Sequence, residues 1–146
     1  LSLIRQESAF DHDIVSHANA RGLMQLLPQT ARALGKIKSN NDLFKPEINI
    51  KLGSKYLNEL MNKFDGNLIY TLSAYNAGPT KTRSWIRDIF DETDPLKLIE
   101  EIPYKETRMY VKLIYRNLYF YQFLYQKRRT PQSLEKSFIL TKNVKN

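Results

Sequence analysis

Glu7, Gln25, Tyr75, Asn76 and Glu106 are the side chains whose types and surroundings could do chemistry in this sequence. Glu7 closes an apolar segment carrying Leu1, Leu3 and Ile4, so its carboxyl group is expected at the edge of a core. Desolvation there favours the neutral acid and raises its pKa, which suits a general acid that gives up a proton and later takes one back. A glutamate near a helix end is also at home as a solvated surface group, and Ser8 beside it reads equally well as a helix-ending hydroxyl bonded to nearby backbone. Gly22-Leu23-Met24-Gln25 joins a glycine that permits close backbone approach to an amide that both donates and accepts, with Leu23 and Leu26 suited to inward packing. Ala74-Tyr75-Asn76-Ala77-Gly78 puts a tyrosine and an amide where a helix is about to end, although a core tyrosine with a satisfied hydroxyl fits the same residues. Glu106 falls in the first turn of a helix, where the helix dipole favours a carboxylate whatever its function. His12 and His17 are five apart in a polar loop and lack the spacing of a helical metal pair, so they read as surface residues.

The elements that must hold these groups are helical. Pro28 to Leu34 followed by Gly35 predicts a short helix with proline in its first turn. From Pro46 to Phe64, Ile48, Leu52, Tyr56, Leu57, Leu60, Met61 and Phe64 recur at steps of three and four, the mark of a helix with one buried face that Asp65-Gly66 ends. Asn67 to Asn76 is apolar nearly all round, as a central helix wrapped by others would be. Gly78-Pro79 breaks it and opens the next helix, in which Trp85, Ile86, Ile89 and Phe90 form an apolar patch. A short helix follows Asp94-Pro95, and after Ile102-Pro103 a long one runs from about Tyr104 to Lys127. That helix carries six of the nine tyrosines (Tyr104, Tyr110, Tyr115, Tyr119, Tyr121 and Tyr125), which predicts burial on more than one side in preference to a stacking platform. Asn19 to Gly22 and Gly35 to Phe44 are the main irregular stretches, no strand alternation is sustained, and the fold class is all-α.

A chain of 146 residues, 42% apolar, fits one domain. With no cysteine, disulfides and thiolate metal sites are excluded. No apolar run approaches the ~18 residues of a membrane span, so stable membrane insertion is not expected. The sequence opens on Leu1 inside an apolar pattern and is expected to be part of a longer protein. Of the net charge of +8, the segment from Lys127 onward contributes +5, with six basic residues against Glu135, which leaves +3 for the rest. The cations are not lined up on one helix face, and a nucleic-acid partner is therefore not expected.

In chain order, Glu7-Ser8, Gly22-Leu23-Met24-Gln25, Ala74-Tyr75-Asn76-Ala77-Gly78 and Glu106-Thr107-Arg108 with Tyr110-Val111 resemble the catalytic domain of the soluble-type (SLT) lytic transglycosylases. These enzymes cut the glycan strands of bacterial cell walls and are related to goose-type lysozymes. The resemblance runs from about Leu1 to about Leu124 and implies a lysozyme-like helical domain with a substrate cleft over residues 1–126, followed by a basic tail at 127–146. It implies that Glu7 is the catalytic acid, that Ser8 helps hold it, that Met24 and Gln25 line the sugar-binding cleft, and that the Tyr75 hydroxyl bonds the acid. Asn76 and Glu106 would bind substrate, and Arg108 reads as structural. Two departures stand out: Arg21 where many relatives have serine, and Thr80 where they often have glycine.

The implied reaction cleaves the bond between N-acetylmuramic acid and N-acetylglucosamine without water, closing a 1,6-anhydro ring, with neither metal nor cofactor. Peptidoglycan strands would be the partner, the periplasm or cell envelope the location, and a missing N-terminal helical domain a packing neighbour. Hydrolysis of the same bond, as in goose-type lysozymes, and a non-catalytic glycan-binding module are the alternatives.

Overall fold

The computed structural model describes residues 1–91 and 94–125, and the chain divides into two compact units, Leu1–Glu59 and the part from Leu60 on. The basic segment at 127–146 and the last residues expected in the final helix lie outside the described residues.

The first unit begins with α1 (Ser2–Ser8), which buries Leu3 and Ile4. It stops because Ala9 turns left-handed at φ 51° and returns its N–H to the Arg5 carbonyl. The chain then runs without regular structure from Ala9 to Leu27, far beyond the expected Asn19–Gly22, pinned by antiparallel bridges between Val15 and Arg21 and between Arg21 and Leu26. Helix α2 (Pro28–Leu34) starts on proline, whose missing N–H costs nothing at that position. Gly35 follows in extended backbone that any residue adopts, so its glycine serves close packing: a Cβ there would stand 2.9 Å from Leu52 Cδ2. Lys55 Nζ donates to the Leu34 carbonyl at 2.6 Å, placing a cation at the helix C-terminus where the dipole favours it.

A 3-10 turn over Asn40–Phe44 was not expected from the sequence. It forms because Ser39 and Asp42 bond each other's backbone as a capping box. Helix α3 (Pro46–Lys63) follows, its residues to Glu59 belonging to this unit. Leu26, Ala31, Leu34, Leu43 and Leu52 form the core, with Ile37, Ile48 and Tyr56 packed against it. Each leucine buried there is worth about 1.5–3 kcal/mol.

The second unit is organised on α4 (Leu68–Ala77), which buries Ile69, Thr71, Leu72, Ser73 and Ala74 and touches every other complete helix of the unit, as the all-round apolar pattern requires. Asp65 and Gly66, both at positive φ, turn the chain into it, and the Asn67 carboxamide oxygen caps it by accepting from Tyr70 N–H at 3.0 Å. Gly78 at φ 90° separates it from α5 (Pro79–Asp88). Trp85 is buried and meets Tyr104 edge-on at 5.0 Å, and Phe90 stacks flat on Tyr70 at 5.5 Å. Ile89, expected in that patch, is instead 46% exposed, because the helix ends one residue earlier and the chain turns away.

Asp94 caps α6 (Pro95–Glu100), and Glu100 on it bonds Lys112 Nζ on α7 (Lys105–Tyr125). Of the six tyrosines expected to be buried, Tyr110 and Tyr115 are; Tyr119 and Tyr121 are half-buried, while Tyr104 and Tyr125 are exposed. Burial pushes the Tyr115 hydroxyl well above the ordinary tyrosine range. Among the described residues there is no strand, and no helix is long and apolar enough to cross a membrane.

Candidate active site

Glu7 occupies the penultimate position of α1 and is half-buried. Leu3 and Ile4, four and three residues before it, share its helix face and are buried, so Glu7 stands at the edge of the buried face. The Ser8 hydroxyl donates to the Ile4 carbonyl and accepts from Phe10 N–H, both at 3.2 Å. Ser8 thus secures the helix end that carries Glu7, and the backbone bonding weighed as its alternative reading is what its hydroxyl does.

Residues Arg21–Leu26 form a tight turn. Arg21 and Leu26 exchange backbone hydrogen bonds at 3.0 and 3.1 Å, and Gln25 N–H closes the inner turn onto the Gly22 carbonyl at 3.0 Å. Gly22 adopts φ 72°, and a Cβ there would stand 2.1 Å from the Leu43 carbonyl oxygen and 2.5 Å from Asn49 Nδ2, so conformation and space both require glycine. Leu23 and Leu26 point inward as expected.

Met24, expected to line a sugar cleft, is only 4% exposed, and its thioether lies against Gly53 of α3, where a Cβ would meet the sulfur. Its side chain supports the turn from beneath. Gln25 is half-buried and donates from Nε2 to the Gly22 and Ile14 carbonyls, leaving Oε1 without a donor among the described residues. Arg21, the departure beside the glycine, donates to Asn19 and Asn41 and lies over the Phe44 ring at 5.4 Å, so its cation ties loop segments together.

In the second unit, Tyr75 is half-buried near the end of α4, and Asn76 beside it is exposed. Asn76 Oδ1 accepts from the Thr107 hydroxyl at 2.6 Å, which brings the tyrosine-asparagine block and the Glu106-Thr107-Arg108 block together. Glu106 is exposed in the first turn of α7. Arg108 donates from Nε to the Ile102 carbonyl at 3.0 Å and faces Glu100, the structural role expected of it. Thr80 is exposed on α5.

Asn49 and Thr107 are the organising residues that sequence reasoning missed. Each is a polar residue on the buried face of an amphipathic helix, and that mismatch was the available signal. His12 and His17 are exposed, and among the described residues no group of three or more histidines and carboxylates could hold a metal ion.

Residues 1–95 match the family model described as the transglycosylase SLT domain. The chain belongs to the transglycosylase SLT family. The match includes Glu7, Ser8, Met24, Gln25, Tyr75 and Asn76, while Glu106 lies beyond it. A putative soluble lytic murein transglycosylase of Haemophilus influenzae is 39% identical over 137 residues, covering 90% of this SLT chain and 23% of the relative. The soluble lytic murein transglycosylase of Salmonella typhimurium is 37% identical over 134 residues, covering 87% and 21%. An inactive mutant of the lytic transglycosylase Slt from Pseudomonas aeruginosa superposes with a TM-score of 0.80 at 37% identity, covering 91% of this chain and 22% of that one. The SLT chain therefore spans between a fifth and a quarter of the length of these relatives.

Proposed function

We propose that this domain is a peptidoglycan lytic transglycosylase, with Glu7 as its acid and base. Glu7 protonates the oxygen of the β-1,4 bond between N-acetylmuramic acid and N-acetylglucosamine, and the substrate's N-acetyl group stabilises the cationic centre. The Glu7 carboxylate then takes the proton of the C6 hydroxyl, whose oxygen closes the 1,6-anhydro ring, so the proton balance returns to its start. Intramolecular attack has the proximity advantage over unpositioned water. Ser8 and Met24 act from within the scaffold, Gln25, Tyr75, Asn76 and Glu106 contact substrate, and the reaction calls for no metal or cofactor.

The observation that carries this reading is Glu7 itself, half-buried at the secured end of α1 in a chain of the SLT family. The Pseudomonas relative was made inactive by exchanging one glutamate for glutamine, which fits a mechanism that depends on a single carboxyl group. The proposed location is the cell envelope, its periplasmic side in a bacterium with two membranes. Phe120, Phe123, Leu124 and Tyr125 on the last turns of α7 are exposed, and a further helical part of the full-length protein is the proposed neighbour for them.

Digestion of purified peptidoglycan in the presence of a chelator, with mass spectrometry of the products, tests the reading. Muropeptides one water lighter than hydrolytic ones are expected, and Glu7→Gln should lower turnover at least about 10⁴-fold, the upper end for acid–base catalysis, with the fold intact. Reducing-end products would establish hydrolysis instead, and a Glu7→Gln variant with a tenth of the activity would remove Glu7 from the mechanism.

A further inference from the structure

We infer that Asn49 is the positioning residue of the substrate-binding turn: it holds the backbone of Arg21–Leu26 so that Gln25 keeps a free side-chain oxygen for glycan, an inference resting on the reading of Gln25 as a substrate contact. Asn49 lies in the first turn of α3 and is 0% exposed. Its Oδ1 accepts from Met24 N–H at 2.8 Å, and its Nδ2 donates to the Arg21 carbonyl at 2.8 Å and the Leu43 carbonyl at 2.7 Å. Two carbonyls need donors and one N–H needs an acceptor, so only one orientation of a carboxamide satisfies all three. A single side chain thereby ties the turn to the 3-10 segment and to α3.

Two features of the turn depend on this tie. Gly22 must be glycine partly because the Asn49 amide occupies the space a Cβ would take. Gln25, although not glycine, is held at φ 47°, a left-handed conformation that persists only where the surroundings over-determine it. In that conformation the Gln25 amide nitrogen reaches the Ile14 and Gly22 carbonyls, and its oxygen is left as the acceptor for a sugar hydroxyl or N-acetyl N–H. With the Met24 N–H and Arg21 carbonyl released, Gln25 relaxes toward ordinary backbone and the oxygen loses its fixed direction.

The test is Asn49→Asp, which keeps the size and the acceptor for Met24 but sets a carboxylate against two carbonyls. KM and kcat are measured on soluble, uncross-linked glycan strands. The expected result is a KM raised about tenfold with kcat changed less than about threefold, the pattern of lost ground-state binding. In a Gln25→Ala background the same substitution should raise KM no further, because residues acting through one contact are not additive. An unchanged KM, or an additive rise in the double variant, overturns the inference. If Asn49→Asp loses its helical circular dichroism, Asn49→Ser, which keeps one hydrogen-bonding group, is judged by the same two criteria. A wild-type protein that releases no product refutes the transglycosylase reading instead; positioning is then decided by the Gln25 side-chain amide resonances in NMR spectra, which must move in the Asn49 variant and would overturn the inference by staying in place.

Discussion

Replacing Gly22 with alanine should be among the most damaging single-methyl changes in the first unit, and Gly66 supplies its control. Both glycines lie at positive φ, 72° and 76°, but a Cβ at Gly66 would meet nothing within 4 Å. Gly66→Ala therefore costs only the left-handed backbone term, roughly 1–2 kcal/mol. Gly22→Ala carries the same term and adds a methyl group 2.1 Å from the Leu43 carbonyl oxygen and 2.5 Å from Asn49 Nδ2. Neither neighbour is a flexible side-chain end, since one is backbone and the other is held by hydrogen bonds on three sides. Overpacking a tight site costs typically about 1–3 kcal/mol, and each Asn49 bond weakened adds about 0.5–1.5 kcal/mol. The sum for Gly22→Ala is about 3–6 kcal/mol, against a total stability of order 5–15 kcal/mol for a domain. At roughly 3 °C per kcal/mol, Gly22→Ala should lower Tm by about 9–18 °C and Gly66→Ala by about 3–6 °C, read by circular dichroism at 222 nm. Equal losses from the two substitutions would show that the contacts around Gly22 play no part and that only backbone conformation matters.

Thr107→Val removes the hydroxyl that bonds Asn76 Oδ1 while keeping the shape, so the loss of one hydrogen bond, about 0.5–1.5 kcal/mol, should raise KM about two- to tenfold with little change in kcat, and Thr107→Ser should restore it; kinetics unaltered by the valine would leave Asn76 positioned by something else. The Lys45 ammonium, then the Ser39 and Lys38 N–H groups, hold the Asp42 carboxyl at a pKa of about 2 against an ordinary 3.8. A depressed folded pKa contributes stability that is present above the unfolded value and lost as pH falls toward the folded one. The Tm gap between wild type and Asp42→Asn should therefore be flat above roughly pH 5 and close as pH is lowered toward 2, and a gap independent of pH would contradict the assigned cause.

The helices were legible because their signals are local. The apolar steps of α3, the all-round apolar α4 and the breaks at Asp65-Gly66, Gly78-Pro79 and Asp94-Pro95 depend on neighbours in sequence, and the structure follows them closely. The stretch from Ala9 to Leu27 was not legible in that way. Its course depends on residues such as Ala9, Phe10, Asn19 and Gln25 taking left-handed backbone that their own propensities disfavour, within short turns whose last one, Arg21–Leu26, is tied to Asn49 more than twenty residues on. Met24 illustrates the same limit, since its type suits a cleft wall or a core equally and only its packing on Gly53 decides.

Asn49 and Thr107 show where a sequence can still say more than its motifs do. Asn49 shares a helix face with Leu52, Gly53 and Tyr56, and Thr107 shares one with Tyr110, Val111 and Ile114, so each sits in register with residues that pack inward. Buried hydroxyls elsewhere in the helices, those of Thr71 and Thr82, donate to the carbonyl four residues back, whereas Asn49 and Thr107, in the first turns of α3 and α7, bond other segments. Their partners are the turn of Met24 for Asn49, and the end of α4 for Thr107. At these two positions a polar residue in an apolar register marks the place where a helix grips a loop or a helix end. In this chain both grips fall on motif blocks that carry the candidate site: the irregular turn of Gly22–Gln25 for Asn49, and the last turn of α4 at Asn76 for Thr107.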